Sequence, residues 1–399
     1  MSKLSEKVMS INESPIRKLA PLARAAREAG KRVIALNIGQ PDVPTPAEYF
    51  EAIKKVDTSV VAYTDSNGID EMKNAFADYY KKNNMPFENQ DILITAGGSE
   101  ALLFSYACLC DEGDEIIVFE PFYTNYKSLA RLVGAKVVPV RCVVENEFRL
   151  PDKSEVEKAI TPRTKALMVT NPNNPTGVVL GKEEMDMLTR VALEHDLFII
   201  SDEVYREYVY GAKWLSFTDY PEINDRLIVI DSVSKRYSGC GIRIGCLASK
   251  NRSVIANALK LCQARLSVPL VEQLGAAALF KTGDDYIKYC HDEYEKRRDV
   301  LVEGMAKIQG AKFIKPCGAF YLITALPVDN SEEFAKWLLT DFTYEGETVT
   351  LCPAADFYAT EGLGLNEVRI SYCLCCEDLA RALNIIALGV KEYNRLKGN

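Results

Sequence analysis

The chain has 399 residues, 48% hydrophobic and 26% charged, which excludes a disordered tail protein and can bury a large core in about two or three domains. Forty-eight Lys and Arg against 56 Asp and Glu leave a net charge of −8, which argues against polyanion binding, nucleic acid included, as the main task. No run of about 18 apolar residues occurs and the start MSKLSEKVMSINESP does not read as a signal peptide, so no membrane span and a cytoplasmic location are expected.

Residues 1–15 read as an arm extended over a neighbouring surface. The centre then alternates short apolar runs with amphipathic helices. The runs are ILITA (92–96), EIIVFE (115–120), KVVPV (136–140), ALMVT (166–170), LFIISDE (197–203), LIVID (227–231) and IGCLA (244–248). Those rich in Val and Ile predict strands buried on both faces of a mainly parallel sheet. Helical stretches such as SEALLFSYACLCDEG and KEEMDMLTRVALEHD between them predict a doubly wound α/β fold. A helical region follows from about 250 to 308, broken near Ser267-Val268-Pro269. FIKPCGAFYLITALP, SEEFAKWLLTDF, VTLCP, VRISYC and a last helix from Cys376 then predict a separate α+β unit.

Histidine chemistry lacks material, with only His195 at a helix end and His291 in a charged helix. The 12 cysteines are scattered through predicted elements and read as reduced, mostly buried residues. Cys373, Cys375 and Cys376 lack a second pair at zinc spacing, so no metal is expected. GxGxxG after the first strand and GxxxxGK[ST] are both absent, which argues against a plain nucleotide-binding protein. A DNA-binding regulator finds no room for a helix-turn-helix ahead of residue 38.

Chemistry gathers where ligands bind in open α/β sheets, at the carboxyl ends of the strands. Lys235 in DSVSKRYSGCGIRIG follows a strand among Ser232, Ser234, Ser238 and three glycines. It is either a loop lysine or an amine placed to form an imine, where burial and nearby cations favour the neutral form. Arg243, past a glycine-rich turn, can clamp a phosphate with its planar fork. Asp202 ends a strand, as a helix cap or a ligand carboxylate, and Tyr205 follows within reach. Asn171-Pro172-Asn173-Asn174-Pro175-Thr176-Gly177 makes a rigid turn in which a cis bond is possible. Gly97, Gly98 and Ser99 stand between a strand and a helix, where backbone N–H groups meet anions.

Taken together, SPIRKLAPLA, LNIGQPD, AYTDSNGIDEMK, TAGGSEAL, EPFYTNY, NPNNPTG, SDEVY, SVSKRYSGCGIRIG, GAFYLI and VRISY resemble the class I/II aminotransferases, pyridoxal-phosphate enzymes of fold type I. The resemblance covers almost the whole chain and runs closest to bacterial enzymes labelled aspartate aminotransferase. It implies a large cofactor domain (46–289) with a seven-stranded sheet, and a small α+β domain made of 16–45 with 290–399. It implies pyridoxal 5'-phosphate held as an imine on Lys235, which would also shuttle the substrate proton. Asp202 would pair with the pyridine nitrogen, and Asn174 and Tyr205 would bond the ring oxygen. Tyr123 would stack on the ring. Gly98, Ser99, Ser232, Ser234 and Arg243 would surround the phosphate, with Tyr63 reaching it from the other subunit of a homodimer.

Arg369 would pair with the substrate α-carboxylate, Gly39 and Asn174 would add contacts, and Phe320 would line the pocket mouth. For a distal carboxylate Arg265, reaching over from the partner chain, is the first candidate and Arg17 the second. The arginine used by animal and enteric aspartate enzymes aligns with about Gln263. The expected reaction is a ping-pong transfer between an L-amino acid and a 2-oxo acid, led by aspartate and 2-oxoglutarate. Alanine or an aromatic amino acid as donor, and a C–S β-lyase on the same cofactor, stay open.

Overall fold

A computed structural model describes residues 4–398. Seven strands form the main sheet: β1 (Ile92–Thr95), β2 (Glu115–Glu120), β3 (Lys136–Arg141), β4 (Thr164–Thr170), β5 (Phe198–Asp202), β6 (Leu227–Ser232) and β7 (Gly245–Ala248). They are the seven apolar runs of the sequence. Their order is β1-β7-β6-β5-β4-β2-β3, and only β7 runs antiparallel to its neighbours β1 and β6. Ile228, Val229 and Ile230 are fully buried although they point alternately to opposite faces. Both faces are therefore covered, and each such side chain contributes roughly 1.5–3 kcal/mol on burial. Leu167, Ile199 and Val229 pack in one apolar cluster, and Met168, Ile200 and Ile228 in another on the opposite face.

Three helices start at the carboxyl side of the sheet and place the site: α1 (Gly98–Leu109), α2 (Asn125–Val133) and the one-turn α3 (Val233–Arg236). A third apolar cluster joins Leu19–Val43 residues with residues from Cys290 to Tyr393. It encloses an antiparallel sheet in the order 352–353, 367–371, 321–325, 312–313, and a parallel pair of 32–35 with 347–350. The predicted helical region 250–308 is broken twice, into Arg252–Arg265, Leu270–Leu279 and Asp284–Met305. Gly283 N-caps the third piece, a signal that periodicity alone passes over.

The N-terminal arm differs from expectation. Glu6–Met9 is helical, Lys7 pairs with Glu112 at 2.6 Å, and Arg131 donates to Ser10 at 2.8 Å. These contacts fold the described part of the arm onto its own chain. No helix among the described residues is long and apolar enough to cross a membrane.

Candidate active site

A cavity of about 570 Å³ opens where β5, β6 and the three helices meet. Lys235, Asp202, Arg243, Arg369, Asn174, Tyr205, Tyr123, Gly98, Ser99, Ser232, Ser234 and Gly39 all line it, and so does Arg17. A larger crevice of about 1160 Å³ lies between helices 70–82, 270–279 and 284–305, but it contains none of these groups.

One end is built for an anion. Gly97 has φ +77°, and a Cβ there would stand 2.3 Å from an Arg243 nitrogen. Only glycine lets the α1 N-terminus, with its unpaired N–H groups, come so close to that guanidinium. Ser232 caps α3 through the Ser234 N–H at 3.1 Å, and its hydroxyl lies 2.7 Å from that of Ser234. Arg243 is held in the left-handed region at φ 57° and donates to Ala96 O and Cys240 O at 3.2 and 3.0 Å. A bulky residue adopts that backbone when surroundings impose it, which marks functional sites.

The middle holds a buried carboxylate. Asp202 is 6% exposed and accepts the Tyr126 hydroxyl at 2.7 Å and the Val204 N–H at 3.4 Å. No lysine, arginine or histidine forms an ion pair with it among the described residues. Burial raises its pKa from 3.8 to about 6, against the pull of Tyr126. A buried anion with hydrogen bonds and no counter-charge suits a cationic ligand atom.

A polar chain spans the other end. Arg369, 1% exposed, donates to Asn37 O at 2.6 Å and to Asn174 Oδ1 at 3.2 Å. Asn174 Nδ2 donates to Tyr205 Oη at 3.4 Å, and the Tyr205 and Tyr321 hydroxyls are 3.1 Å apart. Tyr321 donates to Gly39 O at 3.4 Å, which also accepts from Lys235 Nζ at 2.7 Å. Asn171-Pro172 and Asn174-Pro175 are both cis. Arg369 Nε is buried without a partner among the described residues, so the guanidinium keeps donor capacity for a ligand.

Two sequence expectations change. Burial does lower the Lys235 pKa, but Tyr321, Cys240, Cys373 and Tyr123 outweigh it and the net direction is upward. Phe320 is fully buried behind the cavity, in edge contact with Tyr205, and its neighbour Tyr321 forms the wall. Phe320 ends the turn before the strand 321–325 and Tyr321 opens that strand, so the two adjacent rings point different ways. Arg265, expected to reach over from a partner chain, lies outside the cavity of its own chain: it donates to Ser66 O and Ile94 O at 3.3 and 3.2 Å and faces Glu100 at 3.5 Å, with Nε and Nη1 left without a hydrogen-bond partner among the described residues. Freeing it would strip Glu100 and two carbonyls of a partner. Arg17 instead lies exposed on the cavity rim.

Tyr63 lies outside this cavity and is 79% exposed, beside exposed Val60 and Val61. His195 caps a helix end and sits 3.1 Å from Glu157, and His291 lies 2.8 Å from Val209 O, so neither serves the site. Sequence reasoning missed Tyr126, Tyr321 and Asn37. The i, i+3 spacing of Tyr123 and Tyr126 on one helix entry was the available signal for the first.

A family model described as Aminotransferase class I and II matches residues 31–386, and the chain belongs to that family, whose members depend on pyridoxal phosphate. Among particular relatives, the aspartate aminotransferase of Bacillus subtilis (strain 168) is 30% identical, over 98% of this chain and 100% of its own. The solved aspartate aminotransferase of Thermus thermophilus with maleate matches with TM-score 0.89 at 29% identity, covering 98% of this chain and 100% of that one. Alanine aminotransferase from Pyrococcus furiosus matches with TM-score 0.89 at 30% identity, with the same coverage.

Proposed function

We propose that this aminotransferase takes the amino group of an acidic L-amino acid, aspartate first, and delivers it to 2-oxoglutarate in ping-pong order, with pyridoxal phosphate carried on Lys235. The observation that carries this is the buried, cation-free Asp202 in the same cavity as Lys235 and Arg369. The residues fit the cofactor. Gly98, Ser99, Ser232, Ser234 and Arg243 suit its phosphate, Asp202 its ring nitrogen, Asn174 and Tyr205 its ring oxygen, and Tyr123 its face.

The cofactor, when bound, supplies an electron sink for the carbon that loses its proton. The chain supplies the rest. Asp202, as an anion, holds a proton on the ring nitrogen. Arg369 grips the substrate α-carboxylate at two points and orients its Cα–H. Lys235 Nζ, beside Gly39 O, would take the proton from Cα and return it to cofactor C4′, two bonds away. Tyr321 and Tyr123 wall the cavity and limit water.

An acidic substrate also needs a cation for its distal carboxylate, because an unpaired buried charge is costly. Arg17 on the rim is the group of this chain that we assign to it, with Arg265 reaching over from a second copy as the other candidate. Alanine as donor is a second reading, supported by the likeness to the Pyrococcus furiosus alanine aminotransferase. Exposed Val60, Val61 and Tyr63 support a homodimer in which Tyr63 reaches the partner's phosphate site. We also infer that 16–45 with 290–399 forms the small domain against 46–289, and that the enzyme is cytoplasmic, as its 12 free cysteines suit.

A panel of amino donors with 2-oxoglutarate, read as kcat/KM, tests this. Aspartate should lead and yield glutamate, and Lys235→Ala should abolish both turnover and the visible absorbance of bound cofactor. Near-normal turnover by that variant removes Lys235 from the chemistry. Pyruvate and ammonia released from cystathionine without amino transfer would establish a lyase instead.

A further inference from the structure

Behind the cofactor cavity lies a second, fully buried layer of charge. Arg236 sends one nitrogen to both oxygens of Asp231 at 2.9 and 2.9 Å. Arg206 reaches Asp231 at 3.2 Å and Glu203 at 3.1 Å. The four side chains are at most 2% exposed. Arg236 also donates to Glu207 at 3.2 Å and lies 3.9 Å over the Tyr79 ring, whose hydroxyl bonds Glu207. Ser201 and Ser216 each donate to Glu203 at 2.9 Å, and the Ser232 N–H donates to Asp231 at 2.7 Å.

The pattern in the chain is regular. Glu203 follows Asp202, Arg206 follows Tyr205, Asp231 precedes Ser232 and Arg236 follows Lys235. Every member of the layer is the chain neighbour of a group that lines the cavity. Adjacent residues point to opposite sides in a strand and about 100° apart in a helical turn, so one row faces the ligand and the other faces its backing. Buried ion pairs are poor sources of net stability compared with apolar packing of equal volume, because desolvation offsets their attraction. Their geometric narrowness is what apolar packing lacks. A guanidinium fork held by Asp231 through one nitrogen and by Glu207 through another tolerates little displacement, and here it ties the end of β6 to α3 and, through Arg206, to the end of β5.

We propose that Glu203, Arg206, Asp231 and Arg236 are positioning residues that fix the spacing of Lys235 and Asp202. The inference rests on the assignment of those two groups to the cofactor. The layer sets the register of two strand ends and one helical turn, and the paired site groups inherit it. Loss of the layer then affects chemistry more than folding, the reverse of what a plain core contact would do.

The test compares holoenzyme of wild type, Arg236→Lys and the pair Asp231→Asn with Arg236→Met. The pair removes one positive and one negative charge together and keeps an acceptor for the Ser232 N–H. Three readouts apply: kcat and KM with L-aspartate, the pH midpoint of the visible absorbance of bound pyridoxal phosphate, and the thermal midpoint of the cofactor-free protein. For the pair we expect kcat down about tenfold or more with KM within about threefold, an absorbance midpoint displaced by about half a pH unit or more, and a thermal midpoint within about 4 °C of wild type. Arg236→Lys, which keeps the charge and loses the fork, should fall between, with a wild-type thermal midpoint.

Wild-type kcat and absorbance in either folded variant overturn the proposal. So does a kcat loss that merely tracks the unfolded fraction. The absorbance arm needs only the cofactor, so it reads the layer even where L-aspartate is a poor donor. If wild type itself never develops the absorbance, it is the assignment of Lys235 that fails.

Discussion

Arg369 donates to Asn174 Oδ1 at 3.2 Å, and Asn174 in turn donates to Tyr205 at 3.4 Å. The arginine assigned to the substrate and the amide assigned to the cofactor are thus one hydrogen-bonded unit. Asn174→Ala should therefore damage two functions at once. It removes a donor to the ring oxygen and leaves one side of a buried guanidinium without a partner, a loss of about 1–3 kcal/mol. The expected outcome is a rise in the Kd for the cofactor and a rise in KM for the amino donor, measured by absorbance titration and steady-state kinetics. Arg369→Lys should raise KM and lower kcat, since an ammonium reproduces neither the fork nor the orientation of Cα–H. A cofactor-only defect in Asn174→Ala would uncouple the pair.

Tyr126 holds Asp202 from below with a 2.7 Å hydrogen bond, and its hydroxyl also meets Thr170 at 2.6 Å. That bond opposes the burial which raises the Asp202 carboxyl. Tyr126→Phe keeps the ring and deletes the donor, so the carboxyl should rise further. Hydrogen bonds to charged groups contribute roughly 1.5–3 kcal/mol, so cofactor affinity should fall about tenfold or more. Fluorescence-detected binding of pyridoxal phosphate to the two proteins checks this, and equal affinities would remove Tyr126 from the ring-nitrogen support.

The seven main strands were legible because Val- and Ile-rich runs buried on both faces carry their own signal. The residues at their ends were legible as candidates because ligands collect there, yet their roles came from the resemblance. Lys235 or Asp202 alone is also an ordinary loop lysine or helix cap. What the sequence hid depends on which way neighbours point. Phe320 and Tyr321 are adjacent and both aromatic, and only the passage from turn to strand between them decides that Tyr321 faces the cavity. Arg265 and Arg17 are equally plausible as residues, and only their contacts separate a guanidinium held by Glu100 from one left on the rim. The charge layer of Glu203, Arg206, Asp231 and Arg236 was invisible because buried pairing is a three-dimensional fact.

Gly39 leaves no room for a side chain. A Cβ placed there would stand 1.8 Å from the Tyr321 hydroxyl. Gly39→Ala must therefore push Tyr321 aside, and the Gly39 carbonyl that accepts from Lys235 at 2.7 Å moves with the distortion. Off-rotamer displacement of a packed ring costs about 1–3 kcal/mol. The expected result is a loss in kcat/KM of about tenfold or more, with a far-UV spectrum like wild type, since the strained contact is local. Wild-type kinetics in Gly39→Ala would mean that Tyr321 has free space that its present packing does not show.

Asp202 also predicts a pH-dependent stability with a definite sign. Burial raises its carboxyl from 3.8 to about 6 in the folded protein without cofactor. Between those values the folded state keeps a proton that the unfolded chain has lost, so stability falls as pH rises through that window. A rise of that size corresponds to about 3 kcal/mol. Glu203, raised by burial to about 7 against the pull of Arg206, adds a slope of the same sign. Asp202→Asn removes only the first contribution. Urea unfolding of the cofactor-free proteins should therefore show the variant gaining on wild type by up to about 3 kcal/mol between about pH 4 and pH 8. The same substitution should cut turnover of the loaded enzyme by about a hundredfold or more, because a neutral amide cannot hold a proton on the ring nitrogen. A difference in stability that stays constant with pH would mean that the folded carboxylate already has a counter-charge, and the cationic ligand atom assigned to it would lose its physical basis.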